Sequence, residues 1–281
     1  MNLQHCINTI LCGNCLEVLK KFPDESVDCC VTSPPYWQLR NYGMKEQLGQ
    51  EPTCQEFIGK LCIIFDEIRR VLKKEGTCWV VLNDTYAKNK GLCLIPALFS
   101  IALTKRQWIV RQKIVWHKPT HLPSTATDRF TNNFEEIFFL VKNATYWFKQ
   151  QFDFMSTPIK ALKKKPIGLN KKGASKDLFS GKIPSYKNNP PCAKNKRAVW
   201  SIKTQALKEN HCAAYPEALC NIMIRAGCPV NGIVLDPFMG SGTSAVAALK
   251  AGRNFIGIEL NPDYCVMAEK RIQNTYEEIK L

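Results

Sequence analysis

Residues 233–259 constrain the fold more than any other stretch. Ile233-Val234-Leu235-Asp236 is a short apolar run ending in an acid, and Pro237-Phe238-Met239-Gly240-Ser241-Gly242 is a tight turn. Thr243 to Lys250 reads as a helix closed by Gly252, and Asn254 to Leu260 reads as a second strand with Glu259 near its end. A strand–turn–helix–strand unit of this length makes its two strands parallel, which predicts an α/β fold built on a doubly wound, mostly parallel sheet. Ligands of such sheets sit beyond the carboxyl ends of the strands. No lysine follows the glycines, so a phosphate-binding P-loop is excluded. Asp236 suits a cationic ligand better than a pyrophosphate, and Glu259 can accept both hydroxyls of a ribose. A ligand with a ribose, a positive charge and no phosphate is S-adenosyl-L-methionine. A dinucleotide is the alternative.

A second stretch carries the chemistry. Val27 to Val31 reads as a buried strand, and it runs into Thr32-Ser33-Pro34-Pro35-Tyr36-Trp37. Two prolines remove two backbone donors and fix two φ angles, and the residue before each is kept out of the helical region. The product is a stiff loop that presents a hydroxyl, free carbonyls and an aromatic ring at a sheet rim. Such a rim suits a flipped nucleobase. The polar and aromatic segment Gln38 to Gly43, with Arg40 in it, reads as a loop.

Between these stretches the hydropathy pattern predicts a helix from Cys15 to Phe22 and an amphipathic helix from about Thr53 to Lys74 that Gly76 ends. It then predicts a strand at Thr77–Leu82 and a helix at Leu92–Lys105. An antiparallel pair, Trp108–Trp116 with Glu135–Val141, follows at one end of the sheet. Ala198–Ile202 reads as a strand and His211–Ala226 as a helix. The last helix opens at Asn261-Pro262-Asp263 and runs toward Ile279.

The net charge of +15 favours a polyanionic partner, nucleic acid before membrane. It is concentrated: residues 142–210 hold sixteen Lys and Arg against three acids, a net +13. The pattern there, with Lys163-Lys164-Lys165 and Lys171-Lys172, fits either a solvated insertion or a region whose lysines neutralise DNA phosphates. Lys194, Lys196 and Arg197 close it. No apolar run of about 18 residues exists, so no membrane span is expected. The first residues lack the basic and apolar segments of a signal peptide, which points to the cytoplasm. Fourteen cysteines would then be reduced, most of them as small buried hydrophobes. Cys12-Gly13-Asn14-Cys15 has no second ligand pair at zinc spacing, so no metal is expected.

Asp-Pro-Phe-Met-Gly-Ser-Gly-Thr at 236–243, together with Thr-Ser-Pro-Pro-Tyr-Trp at 32–37, resembles the DNA amino-methyltransferases of bacterial restriction–modification systems. The order, with the catalytic loop first, the basic region next and the glycines last, resembles the β group of that family. His211-Cys212-Ala213-Ala214-Tyr215-Pro216-Glu217 is similar to the family element that helps enclose the methionine part of the cofactor. The resemblance covers about 1–145 and 198–281. It implies a Rossmann-like methyltransferase domain over those residues, with 146–197 as a target-recognition insertion.

The resemblance further implies that Ser33, Pro34, Pro35, Tyr36 and Trp37 are catalytic. Asn14, Thr32, His211, Pro216, Asp236, Pro237, Phe238, Gly240, Ser241, Gly242, Thr243, Glu259 and Asn261 would serve S-adenosyl-L-methionine. Arg40 and the basic residues named above would meet double-stranded DNA. Where the family often has Gly-Asp, this chain has Gly13-Asn14, a departure that bears on the strength of one adenine contact. A cognate restriction endonuclease is an implied partner, and a monomer or homodimer is expected. Ser-Pro-Pro-Tyr followed by Trp resembles the cytosine-N4 enzymes, whereas Asp-Pro-Pro-Tyr is more usual for adenine N6, which stays the alternative. A non-catalytic DNA-binding protein and an RNA methyltransferase are further alternatives. Cytosine C5 chemistry needs a thiolate nucleophile, and the sole Pro-Cys pair, Pro191-Cys192, lacks the context for it.

Overall fold

The structure, a computed structural model, describes residues 2–120, 124–154, 193–204 and 215–280. In chain order its elements are β1 (Thr9–Cys12), α1 (Cys15–Leu19), β2 (Val27–Thr32), α2 (Cys54–Val71), β3 (Leu72–Leu82), α3 (Ile95–Lys105), β4 (Ile109–His117) and β5 (Phe134–Val141). There follow β6 (Phe152–Phe154), β7 (Ala193–Asn195), β8 (Val199–Ser201), α4 (Glu217–Gly227), β9 (Ile233–Asp236), α5 (Thr243–Lys250), β10 (Asn254–Glu259) and α6 (Pro262–Lys280). Two compact units result: residues 1–149 with 198–281, and residues 150–197.

The larger unit holds an eight-stranded sheet in the order β1-β10-β9-β2-β3-β5-β4-β8. Pairing is parallel from β1 through β3, antiparallel at β3/β5 and β5/β4, and parallel again at β4/β8. The mostly parallel α/β architecture read from residues 233–259 is therefore present, and the antiparallel β4/β5 pair lies toward one end. Period-two alternation divides β3 between two cores. Cys78, Val80 and Leu82 pack with Phe57, Leu61, Phe65 and Ile68 of α2 and with Phe99 of α3. Trp79 and Val81 face the other way, toward Leu219 and Met223 of α4 and Ala247 of α5. Trp79 stacks on its cross-strand partner Phe139, with centroids 4.1 Å apart, a pair worth about 0.5–1.5 kcal/mol beyond its buried area.

Local signals explain most boundaries, and several differ from expectation. Thr53 caps α2 by accepting the N–H of Glu56, the first half of a capping box. That helix stops at Val71 rather than Lys74, and Gly76 lies inside β3 rather than ending the helix. Leu72 is fully buried opposite Val27, while Cys29 already faces Thr77, so the residues between them bulge, with Lys73 to Glu75 exposed. Lys73 uses the bulge to reach Asp28 at 2.7 Å. Helix α1 is shorter than expected, ending at Leu19. Helix α4 begins at Glu217 with Pro216 as its cap; proline keeps its predecessor out of the helical region. The first part of the predicted helix, residues 211–214, lies outside the described residues.

Tyr146 and Phe148 pack on Phe139 of the large sheet, so they belong to the larger unit. In the smaller unit β6 and β7 pair antiparallel, and Lys196 Nζ meets Asp153 at 3.0 Å. Among the described residues no helix is long and apolar enough to cross a membrane.

Candidate active site

The two motifs lie 204 residues apart in sequence but end neighbouring parallel strands, β2 and β9. Thr32 Oγ1, at the end of β2, donates to Asp236 Oδ1 at 2.6 Å. Asp236 also accepts from Phe238 N at 3.1 Å, Ser244 Oγ at 2.6 Å and Tyr215 Oη at 3.0 Å. With four donors on two oxygens and 1% exposure, the carboxylate is committed to the fold. Burial pushes its pKa up and the hydrogen bonds pull it back. The expected contact of Asp236 and Thr32 with a ligand is thus corrected: neither lines either of the two cavities described next, and together they clamp one loop to the other.

A cavity of about 350 Å³ opens above this clamp, lined by Ser33, Pro34, Pro35, Tyr36 and Arg40 on one side and by Phe238, Met239, Gly240, Ser241, Thr243 and Glu259 on the other. Within it Ser33 Oγ donates to Tyr36 Oη at 3.3 Å, and Tyr36 Oη donates to Glu135 Oε2 at 2.7 Å. Glu135, itself buried, also receives Lys118 Nζ. Burial, then the Glu135 charge, hold the Tyr36 phenol well above its ordinary pKa. Trp37 is another correction. Its indole turns into the core and donates to the Glu51 carbonyl at 2.9 Å, so it forms no wall of the cavity. Arg40 does line the cavity, and its Nη1 is buried with no hydrogen bond among the described residues.

A second cavity of about 370 Å³ shares Phe238 and Glu259 with the first and runs past Gly13, Asn14, Leu16, Ile64 and Pro237. Glu259 therefore stands at the junction. Its Oε2 accepts Gly240 N at 2.7 Å and its Oε1 accepts Asn261 N at 2.8 Å. Burial raises its pKa, against those backbone hydrogen bonds. Asn14 Oδ1 caps α1 through Leu16 N while its Nδ2 donates to Glu46 at 3.0 Å. Asn261 lines neither cavity; its side chain accepts Asp263 N at the start of α6.

The two turn glycines serve different ends. Gly240 has φ +53° and open space where a Cβ would stand, so backbone can approach a ligand there. Gly242 has φ +80°, and a Cβ would lie 2.9 Å from Ala268 Cβ, so it admits α6 rather than a ligand. Gly242→Ala is expected to cost about 2–4 kcal/mol from overpacking and the left-handed backbone, read as a lower denaturation midpoint.

Sequence reasoning missed Lys118, Glu135 and Arg271. The last donates through Nη1 to Ser241 O, Ser241 Oγ and Thr243 Oγ1, at 2.6, 2.9 and 3.1 Å, and so fixes both hydroxyls. Pro216 is buried as the α4 cap and lines neither cavity. His211 and the lysines at 163, 164, 165, 171 and 172 lie outside the described residues. Lys194, Lys196 and Arg197 belong to the smaller unit. Among the described residues no cluster of His, Cys, Asp and Glu could hold a metal ion.

Known proteins resemble this chain over most of its length. A family model of the N6/N4 type, described as a DNA methylase, matches residues 27–270. The type II methyltransferase M.Cfr9I of Citrobacter freundii is 33% identical over 293 residues, which cover 94% of this chain and 87% of that protein. The DNA adenine methyltransferase YhdJ of Escherichia coli K12 is 31% identical over 272 residues, covering 94% and 82%. The solved structure of the cytosine-N4-specific PvuII DNA methyltransferase matches with a TM-score of 0.68 at 18% identity, covering 96% of this chain and 91% of that one. A DNA modification methylase of Thermus thermophilus, solved with S-adenosyl-L-methionine, matches with a TM-score of 0.62 at 23% identity over 95% of each chain. Matched by the family model over most of its length, and by M.Cfr9I at that identity and coverage, the chain belongs to the N6/N4 DNA methylase family.

Proposed function

We propose that this chain transfers a methyl group from S-adenosyl-L-methionine to the exocyclic N4 of a flipped cytosine in double-stranded DNA, as the modification enzyme of a restriction–modification system. The observation that carries the reading is the shared wall of the two cavities. Phe238 and Glu259 border both, so a cofactor beside Glu259 adjoins a base beside Ser33.

The residues present fit this cofactor. A carboxylate already occupies the Gly240 N–H, the amide a pyrophosphate would need, so the turn favours a ligand without phosphate. The Glu259 oxygens each retain a lone pair for a ribose hydroxyl. Asn14, Leu16 and Pro237 would enclose the adenine end. When bound, S-adenosyl-L-methionine supplies an electrophilic methyl group.

The chain's own residues supply orientation and acceptors. An exocyclic amine is a poor nucleophile because its lone pair is delocalised into the ring. Ser33 Oγ and the Pro34 carbonyl accept its N–H groups, which lets the nitrogen pyramidalise, and acceptors aimed there stabilise the charge it gains. The Tyr36 ring, fixed by its bond to Glu135, offers a face for the base, which must leave the helix first. The basic segment 150–197 serves as the target-recognition region, with lysines at phosphates.

Cytosine is favoured by the neutral Ser33 at the head of the loop, the form that resembles the cytosine-N4 enzymes. Adenine N6 is the second reading, on the ground that the E. coli relative is an adenine methyltransferase. Methylation-aware sequencing of DNA from cells that express the protein decides. N4-methylcytosine at one short site is expected, and N6-methyladenine alone would overturn the choice of base.

Glu259 gives a pH prediction. Only its ionised form accepts two ribose hydroxyls, and its pKa is raised. Cofactor affinity should therefore decline on acidification at a pH above the usual carboxylate range. Glu259→Gln should lower affinity by roughly tenfold to a hundredfold, the worth of hydrogen bonds to a charged group, and should abolish that acid limb. Calorimetric titration across pH reads both.

A further inference from the structure

We infer that Glu135, gripped by Lys118, is a positioning residue that commits the Ser33 proton to Tyr36 and takes up, through that chain, the proton the target amine must shed. This rests on the methyltransferase reading and extends its acceptor scheme by two residues that no motif marks.

The direction of the hydrogen bonds carries the argument. A serine has one proton, and Ser33 gives it to Tyr36 Oη. A tyrosine has one proton, and Tyr36 gives it to Glu135 Oε2. An ionised carboxylate only accepts, and Lys118 Nζ donates to its other oxygen. The chain therefore points one way. Ser33 Oγ can present only lone pairs to the cavity, which is what an amine substrate needs. Each bond polarises the next in a site of low dielectric. Lys118 has a second fixed contact, with its Nζ 4.5 Å from the Trp116 ring centroid, so the carboxylate is anchored from behind.

The same chain balances the reaction. As nitrogen gains its bond to the methyl carbon, the carbon–sulfur bond of the donor would break with its electron pair left on sulfur; nitrogen takes the positive charge, and one N–H bond then breaks with its electron pair left on nitrogen. That proton passes to Ser33 Oγ, the Ser33 proton to Tyr36 Oη, and the Tyr36 proton to Glu135 Oε2. Glu135 ends as a carboxylic acid, Ser33 and Tyr36 end neutral, and Lys118 keeps its charge. Glu135 lines the cavity and returns the proton to water once the product leaves. The raised pKa of Tyr36 means that it passes a proton on only as it receives one.

The competing account is that Glu135 merely neutralises a buried lysine. A double-variant cycle separates the two. Tyr36→Phe keeps the ring and removes the link. Glu135→Gln keeps the shape and cannot take a proton. Because Glu135→Gln leaves Lys118 without its counter-charge, Glu135→Asp is made as well. It keeps the charge for Lys118 but withdraws it from Tyr36 by one methylene. Single-turnover methyl transfer to duplex DNA should fall about 10²-fold in each single variant, the range of proton-transfer catalysis. The Tyr36→Phe/Glu135→Gln pair should fall no further than either, since the two act through one path. Affinities for cofactor and duplex should stay within about twofold, which a packing defect would not allow. A double variant slowed about 10⁴-fold, or an aspartate variant at full rate, overturns the relay while leaving the proposed function intact. A wild-type protein that methylates no duplex DNA overturns both.

Discussion

Replacing Ser33 with alanine is expected to lower single-turnover methyl transfer by about 10²–10³-fold, the usual loss when one oriented group at a reacting centre is removed. Cofactor affinity should stay within about twofold. The separation follows from position. Ser33 lines the cavity with Tyr36, whereas the clamp that supports the glycine turn runs through Thr32 and Asp236. Two prolines hold the loop whatever residue precedes them, so the variant should keep its fold. Radiolabelled methyl transfer alongside calorimetric cofactor titration provides the test. Unchanged transfer would remove Ser33 from the chemistry, and lost affinity would move it to the cofactor.

Asp236→Ala should be the most disruptive single change in stability. It leaves the donors of Thr32, Ser244, Tyr215 and Phe238 facing an empty space in the core. Stranding the partners of a buried charge costs about 3–5 kcal/mol, measurable by chemical denaturation. Cofactor affinity should fall with it, because this residue's hydrogen bonds, with the strand pairing, tether the turn bearing Gly240 to β2. Asp236→Asn, which keeps one acceptor and lets the hydroxyls rotate, should recover part of the stability. Lost affinity with unaltered stability would instead mean that Asp236 touches the cofactor directly.

These two residues also mark where the sequence is legible. The Asp-Pro-Phe-Met-Gly-Ser-Gly turn and the Ser-Pro-Pro-Tyr loop each announce a rim at a strand end, because proline and glycine act locally. Which side chains then point into a cavity is not local. Asp236 and Trp37 belong to their motifs in sequence, yet burial draws both away from the cavities. Glu135 and Lys118 belong to no motif. They meet because the antiparallel pairing of β4 with β5 brings the two strand ends together, and pairing partners 17 residues apart leave no periodic trace. A strand-end acid and a lysine before a proline are ordinary features one at a time. Gly76 departs from expectation for a related reason: the buried Leu72 pins the chain back onto β2 and forces the bulge.

The β2–β9 pairing also sets a timetable for synthesis. Cys29, Cys30 and Val31 are fully buried in the finished sheet, and β9 covers one edge of their strand. On a ribosome adding about 5–20 residues per second, the partner strand follows roughly 10–40 s later. For that interval an apolar strand has an edge with nothing beside it, the kind of edge that pairs with other chains. The vulnerable species is the unfinished polypeptide. Chains that stop short of residue 233 never acquire the strand that ends this exposure, and they should be recovered as aggregates rather than as a smaller folded protein.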